Sequence, residues 1–134
     1  MKVSEMTNRQ LQEAIAKQQG IKIVKRDDKW FLMFPDGTFR DLGGQGVSQE
    51  TIYMMAYKHF VPNWPQDIDA ALRDLAMEGR LVLRPSLVAQ RWIVCKLKGV
   101  RLSKKSLDVW PDVWVEHESL ARAIAEAYYT LYCE

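Results

Sequence analysis

The chain has 134 residues, a length that closes one hydrophobic core without disulfides or metal, whereas two domains would each lack a sufficient core. Apolar residues make up 48% and charged residues 27% of it, and no run approaches the roughly 20 apolar residues that span a bilayer, which excludes a membrane-spanning protein. The net charge of +2 comes from nearly balanced acids and bases, which argues against a dedicated nucleic-acid binder and against an acidic nucleic-acid mimic.

The first residues and the cysteines favour a cytoplasmic protein. Residues 1–6 lack the apolar run and the small-residue cleavage site of a secretory signal. Cys95 lies in an apolar, strand-like run and Cys133 lies beside the C-terminus, and neither has metal-ligand spacing. We therefore predict two free thiols, with Cys95 in the core.

The first helix has both of its end signals. Thr7 and Gln10 form a capping box, in which each side chain satisfies a backbone N–H of the first turn. Apolar residues at helical spacing follow, and Gly20 is placed to leave the helix in a left-handed conformation. The pattern predicts a helix over 7–19.

Three further segments carry helix signals. Ser48 caps the second, and the third begins at Pro65, with Asp67 at the positive end of the helix dipole, and stops at Gly79. Ser119 caps the fourth, whose apolar residues form one buried stripe. The sequence thus predicts about four helices.

The strand-like runs fall into two groups. The first group comprises 21–26, 29–34 and 38–40, and the second comprises 80–84, 90–97 and 109–116. A polar, basic loop is expected at 100–105, and Pro111 makes the last run an edge or bulged strand. Segregated strand runs with short turns predict one α+β domain over 1–134, a sandwich of predominantly antiparallel sheet with the helices packed on it.

The faces of the second group are ambiguous. Ile93, Cys95 and Leu97 lie on one face of their strand, and Trp92 and Val94 lie on the other. Both sets are apolar, so the alternation requires that one face is core without saying which.

The glycine-rich segment 43–46 can be a connector or a phosphate-binding turn. It supplies only the first two glycines of a dinucleotide fingerprint, and no Lys-Ser or Lys-Thr follows as in a P-loop. We favour the connector.

No catalytic residue, metal site or cofactor is predicted. His59 and His117, the two histidines, lack metal-binding spacing, and Cys95 lacks a sequence signature of activation. An enzyme would need His59, Asp67 and His117 to converge in one cleft, so we expect a protein that is not an enzyme.

Basic and aromatic residues gather near the second strand group, a composition that suits nucleic-acid or nucleotide binding. They are Trp92, Lys96, Lys98, Arg101, Lys104 and Lys105, with Trp110 and Trp114 close in sequence. A solvated basic loop beside core tryptophans is the favoured alternative.

Two other groups of residues each allow a structural and a functional interpretation. Trp64 and Asp67 either begin a helix or contact a ligand, and capping is favoured. Tyr128, Tyr129 and Tyr132 either cover the core or form the patch of a homodimer.

Five features follow one another along the chain: the helix 8–19, the strand pair ending in Pro35-Asp36-Gly37, the segment Trp64-Pro65-Gln66-Asp67-Ile68-Asp69-Ala70-Ala71, the strands after it and the segment Glu118-Ser119-Leu120-Ala121-Arg122-Ala123-Ile124. In this order they resemble the phage ABA sandwich family, small proteins of bacteriophages and prophages. The resemblance covers most of the chain. It implies a phage or mobile-element origin and a sheet with helices packed on it, and the family offers no established catalytic residues.

Together these features predict a small non-enzymatic binding protein of phage or prophage type, located in the cytoplasm of a bacterial host. It would occupy a host protein or a ligand, for example as an anti-defence inhibitor such as an anti-CRISPR protein. The alternative is nucleic-acid or nucleotide binding through Trp92 and the basic segment 96–105.

Overall fold

The computed structural model describes residues 2–44, 46–86, 90–102 and 107–133, with the backbone alone described at 97–102 and 107–112. Its helices are a 3-10 turn Val3–Glu5, α1 (Asn8–Gln18), α2 (Gln49–His59), α3 (Ile68–Ala70, Ala71–Ala76 and Met77–Gly79 in succession) and α4 (Leu120–Tyr132). Its strands are β1 (Lys22–Arg26), β2 (Lys29–Met33), β3 (Phe39–Gly43), β4 (Val82–Pro85), β5 (Trp92–Leu102) and β6 (Leu107–His117). The α+β class is confirmed.

Helix α1 begins and ends where its caps predict. The Gln10 N–H donates to Thr7 Oγ1 at 3.1 Å, and the Thr7 N–H donates to Gln10 Oε1 at 2.9 Å, which completes the capping box. Gly20 has a φ of +82°, a left-handed conformation that costs glycine little. Both end signals of the helix are confirmed.

Helix α3 differs from its prediction at both ends. Pro65 precedes the helix, and Asp67 is its N-cap, because Oδ1 of Asp67 accepts from the N–H groups of Asp69 and Ala70 at 3.1 and 3.2 Å. Gly79 remains helical, and Arg80 takes the left-handed conformation with a φ of +53°. A Cβ on Gly79 would lie 3.3 Å from the Tyr132 ring, so the glycine serves close packing rather than the stop.

The first sheet has the order β1-β2-β3 and is antiparallel throughout. Asp27 and Asp28 join β1 to β2 with φ values of +50° and +63°, as a tight hairpin turn of the primed type requires. Leu32, opposite Ile23, points into the core with no exposed surface.

The second sheet has the order β4-β5-β6 and is also antiparallel. The register of β5 against β6 shifts around Leu97, opposite Pro111, so the bulged edge strand is confirmed. The predicted basic loop is wrong for Val100–Leu102, which continue β5 because they pair with 107–109. Residues 103–106 of that loop lie outside the described part of the chain.

Helix α4 occupies the centre of the molecule. Its residues Ala121–Tyr128 are all buried, and the helix packs against α1, α3, β5 and β6. Leu32 of the first sheet and Val94 of the second belong to the same core cluster as α4. Tyr128 is buried, and Tyr129 and Tyr132 pack partly buried against that cluster, so these tyrosines cover the core.

Helices α1, α3 and α4 run in the same direction. Residues at or just before their starts, including Thr7, Gln66 and Ser119, line one polar cleft of about 650 Å³. Residues at their ends, including Gln19, Glu78 and Tyr132, line a second cavity of about 520 Å³. The helix dipoles therefore point the same way, with their positive ends at the first cleft and their negative ends at the second.

None of the helices in the described ranges combines the length and the apolar character that crossing a bilayer requires.

Candidate functional site

The second sheet has one face toward the helices and one face away from them. Leu83, Val94 and Val115 lie opposite one another on the three strands and pack in or against the core. Because side chains alternate along a strand, their immediate neighbours occupy the other side of the sheet. We call this side the outer face, and it consists of Val82, Arg84, Ile93, Cys95, Trp114 and Glu116.

The outer face is apolar at its centre and half exposed at its flanks. Ile93 and Cys95 on the central strand are 6% and 4% exposed, although neither belongs to the main core cluster. Val82 and Trp114 on the flanking strands are 41% and 48% exposed. This side of the sheet thus has a buried floor between accessible apolar edges.

An arginine and a tryptophan cover that floor. The Arg84 guanidinium lies 5.1 Å from the centre of the Trp114 ring, in a cation–π contact. Arg84 is on β4 and Trp114 is on β6, so their contact crosses β5. The pair therefore passes over the strand that carries Ile93 and Cys95.

A second arginine marks the end of the outer face. Arg91 Nη2 donates to the backbone carbonyl of Glu116 at 3.2 Å, and its Nε lies 4.0 Å from Glu116 Oε1. That Nε is buried and makes no hydrogen bond within the part of the chain that the structure describes. Arg91 therefore forms a long ion pair with Glu116. No carboxylate in the described ranges forms an ion pair with Arg84.

The Arg84–Trp114 pair has the residue types of a protein interface. Tryptophan and arginine dominate the residues that contribute most to protein interfaces, especially above an apolar floor. A guanidinium stacked on an indole still has N–H groups in its plane that can donate to a partner's carboxylate.

Trp64 and Asp67, predicted as capping residues or ligand contacts, have structural partners. Trp64 is 1% exposed, and its Nε1 donates to Asp74 Oδ2 at 3.0 Å. Asp67 caps α3 with the two hydrogen bonds described above. Both side chains thus serve the start and the packing of α3.

Trp92 and Lys96 lie on the core face of β5, four residues apart, or roughly 13 Å along a strand. Trp92 is 37% exposed and lies opposite His117, whereas Lys96 Nζ donates to the Tyr132 hydroxyl at 2.9 Å. The fold does not bring the two side chains together.

The rest of the basic segment is described only in part. Lys98 and Arg101 belong to β5, where their backbone alone is described, and Lys104 and Lys105 lie outside the described residues. A shared surface for these four side chains stays a prediction.

His117 lines the polar cleft at the helix starts, but His59 and Asp67 are not among the described residues that line it. His117 Nδ1 accepts the Ser119 N–H at 2.8 Å, and Arg122 in the same cleft is engaged by Glu126, Asn8 and two carbonyls.

Burial raises the pKa of the Cys133 thiol to about 11, so it is protonated at neutral pH. Within the described ranges no group of three or more His, Cys, Asp or Glu side chains could hold a metal ion.

Sequence reasoning missed Arg84 and Trp114 as a pair. Trp114 stood out only for its closeness in sequence to the basic segment, and Arg84 only as the end of a strand. Alternation along β4 and β6 could have placed each on a face, but their contact depends on the strand order and on which face of β5 is core.

Comparison with known proteins adds no relative to this description. No family model, curated protein or solved structure matches the chain. The resemblance to the phage ABA sandwich family therefore stays a prediction.

Proposed function

We propose that this chain is a non-enzymatic binding protein whose outer face engages a partner protein. The observation that carries the proposal is the Arg84–Trp114 bridge, half exposed above the apolar floor of Ile93 and Cys95. What distinguishes Trp114 from other exposed aromatic residues is its contact with an exposed arginine, the pair of residue types that contributes most to protein interfaces.

The shape of the outer face favours a protein over a small molecule. Small ligands occupy concave sites that enclose most of their surface, whereas this site is one side of a three-stranded sheet. The complementary surface would present an apolar side chain to Trp114 and a carboxylate to Arg84. The proposal includes the expectation that the partner is a host protein in the bacterial cytoplasm and that the chain acts there as a phage or prophage inhibitor.

The test compares Trp114→Ser with the matched variant Phe39→Ser. Phe39 is 64% exposed on the side of the first sheet away from the core, where its ring meets Phe31, so the control removes a similar apolar group from another surface. Each tagged variant captures proteins from a bacterial lysate, and quantitative mass spectrometry compares the amounts. Trp114→Ser is expected to reduce the captured partner by about thirtyfold, the loss for a central tryptophan worth about 2 kcal/mol.

Circular dichroism confirms first that both variants fold. Partner capture that survives Trp114→Ser but fails for Phe39→Ser would place the interface on the first sheet and contradict the proposal.

Nucleic-acid binding is a second candidate, favoured by one observation. Strand β4 pairs with β5 only over Trp92–Cys95, so beyond Cys95 strands β5 and β6 form a two-stranded ribbon that carries Lys98 and Arg101. Ribbons of this kind can enter a nucleic-acid groove. Nuclease treatment of the lysate and a salt series decide between the candidates, since only nucleic-acid binding would be lost after digestion and fall steeply with salt.

A further inference from the structure

The cavity at the ends of α1, α3 and α4 is lined by residues from four parts of the chain. They are Gln18 and Gln19 of α1 and its cap, Pro35 after β2, Glu78 of α3, and Tyr128 and Tyr132 of α4. Its volume of about 520 Å³ lies within the range of small-molecule sites.

The charge around this cavity favours a cation. Three helices end here, and the carbonyl groups of a last helical turn carry partial negative charge. Glu78 adds a full negative charge, and none of the described lining residues is basic. Lys17 and Arg80 adjoin lining residues in the sequence and Lys96 contacts the lining residue Tyr132, but none of the three lines the cavity.

Two tyrosines provide aromatic surface beside that charge. The ring centres of Tyr128 and Tyr132 are 4.9 Å apart, with the planes tilted by 47°. Burial raises the pKa of Tyr128, and the negative charge of Glu78 adds to the rise while a hydrogen bond with Gln19 opposes it. Glu78, Tyr128 and Tyr132 line the same cavity, so one ligand can contact the carboxylate and the rings together.

The protein already holds one ammonium group on the Tyr132 ring. Lys96 Nζ lies 5.2 Å from the centre of the Tyr132 ring and donates to its hydroxyl at 2.9 Å. The same hydroxyl donates to the Gly79 carbonyl at 3.2 Å. These contacts fix the Tyr132 ring before any ligand arrives, which lowers the entropy cost of binding.

We propose that this cavity binds an alkylammonium cation, either a free amine or a lysine side chain of a partner. The ammonium pairs with Glu78 and with carbonyl groups at the helix ends, and the alkyl stem packs on the tyrosine rings. This site is separate from the outer face, so either proposal can fail without the other.

The experiment titrates n-butylammonium chloride into the full chain at constant ionic strength and follows the tyrosine ring signals by NMR. Saturable shifts of Tyr128 and Tyr132 are expected, with no saturation by 1-butanol, which has the same stem without the charge. Glu78→Gln, a change at an exposed side chain, is expected to raise Kd about two- to fivefold.

Three further variants separate the effects of charge, ring and hydroxyl. Glu118→Gln makes the same charge change before the start of α4, at the opposite end of the helices, and is expected to leave Kd unchanged. Tyr132→Phe keeps the ring but loses the hydroxyl contacts that fix it, and it is expected to weaken binding less than Tyr132→Leu. Tyr132→Leu removes the ring and is expected to weaken binding about two- to fivefold.

A capped tripeptide with a central lysine distinguishes the two sources of the cation. Tighter binding than butylammonium indicates a partner's side chain, and equal or weaker binding indicates a free amine. Shifts that do not saturate, equal shifts with 1-butanol, or an unchanged Kd in Glu78→Gln would each overturn the proposal.

Discussion

At the scale of single residues, the buried tryptophan Trp64 depends on one carboxylate. Its Nε1 donates to Asp74 Oδ2, while the Arg73 guanidinium donates to both oxygens of Asp74 at 2.8 and 3.1 Å. The hydrogen bond from Arg73 holds the pKa of Asp74 below its ordinary value of 3.8, against the opposing effect of burial. The ionised form of Asp74 is therefore the one that stabilises the fold.

We predict that Asp74→Asn lowers the free energy of unfolding by about 1 kcal/mol at pH 7, because hydrogen bonds to a charged acceptor are stronger than those to a neutral amide. A lowered pKa in the folded state contributes stability that is present above the unfolded pKa and is lost as pH falls through the folded value. The deficit of the variant should thus shrink below about pH 4. Urea denaturation between pH 7 and pH 2 measures it, with Asp69→Asn, at an exposed residue, as the control.

Gly44 is a second residue with a specific role. Its φ is +92°, and a Cβ there would lie 2.5 Å from Ile52 Cδ1 and 2.8 Å from Trp30 Cδ1. The prediction that segment 43–46 is a connector does not account for the close approach of Gly44 to these two side chains. Gly44 lets the chain pass directly against the first residues of α2, so at this position the glycine is required by packing.

Gly44→Ala is expected to lower the free energy of unfolding by about 2–3 kcal/mol, from overpacking and backbone strain together. Gly37→Ala isolates the strain, because Gly37 has a φ of +89° with no atom within 4 Å of the added Cβ. That control is expected to cost about 1 kcal/mol. Equal losses in the two variants, measured by chemical denaturation, would show that the contacts at Gly44 contribute nothing.

At the scale of elements, Arg122 connects α4 to the first residues of the chain through hydrogen bonds. Its Nε donates to Glu126 Oε2 at 2.8 Å and its Nη1 to Asn8 Oδ1 at 2.8 Å. Its Nη2 donates to the carbonyls of Val3 and Met6 at 3.1 and 2.6 Å. One buried guanidinium thus orients the 3-10 turn and the start of α1 against the first turn of α4.

Removing that guanidinium leaves a buried carboxylate without its partner. We predict that Arg122→Met lowers the free energy of unfolding by about 3–5 kcal/mol, because the Glu126 side chain is only 7% exposed. The double variant Arg122→Met/Glu126→Met should be more stable than the single variant, since it removes the unpaired charge as well. A double variant less stable than the single one, in a cycle measured by denaturation, would contradict this account.

The sequence predicts elements better than it predicts their ends and faces. The side chains that cap α1, α2 and α4 act within three residues of their own position, so local sequence is enough to locate those starts. Helix α3 shows the limit, because Pro65 and Asp67 are both acceptable start signals and only the hydrogen bonds of Asp67 decide between them. The face of β5 that becomes core depends on α4, which lies far along the chain.

At the scale of the whole molecule, three helices point in one direction and share one core with two small sheets. Parallel neighbouring dipoles repel, so the helix ends need compensation. Side chains cap the starts of the three helices. Near the helix ends, Lys96 donates to the Tyr132 hydroxyl, which donates to the Gly79 carbonyl. The two clefts are the places where this shared polarity meets solvent.

The α+β class follows from sequence because segregated strand runs and capped helices are local features. The candidate site does not, because Arg84 and Trp114 meet across a strand whose neighbours are set by the whole fold. Trp64, selected for its unusual setting between prolines, is instead fully enclosed. A rare residue in a turn indicates a special role, and burial decides whether that role is packing or binding.

The central position of α4 also determines when the core can form during synthesis. Every other core element precedes α4 in the chain, and Arg122 reaches partners up to 119 residues upstream. The core faces of the two sheets and of the earlier helices are therefore not fully covered until α4 has been synthesised. Contacts at such long separations slow folding, so the shared core forms late relative to the elements that precede α4.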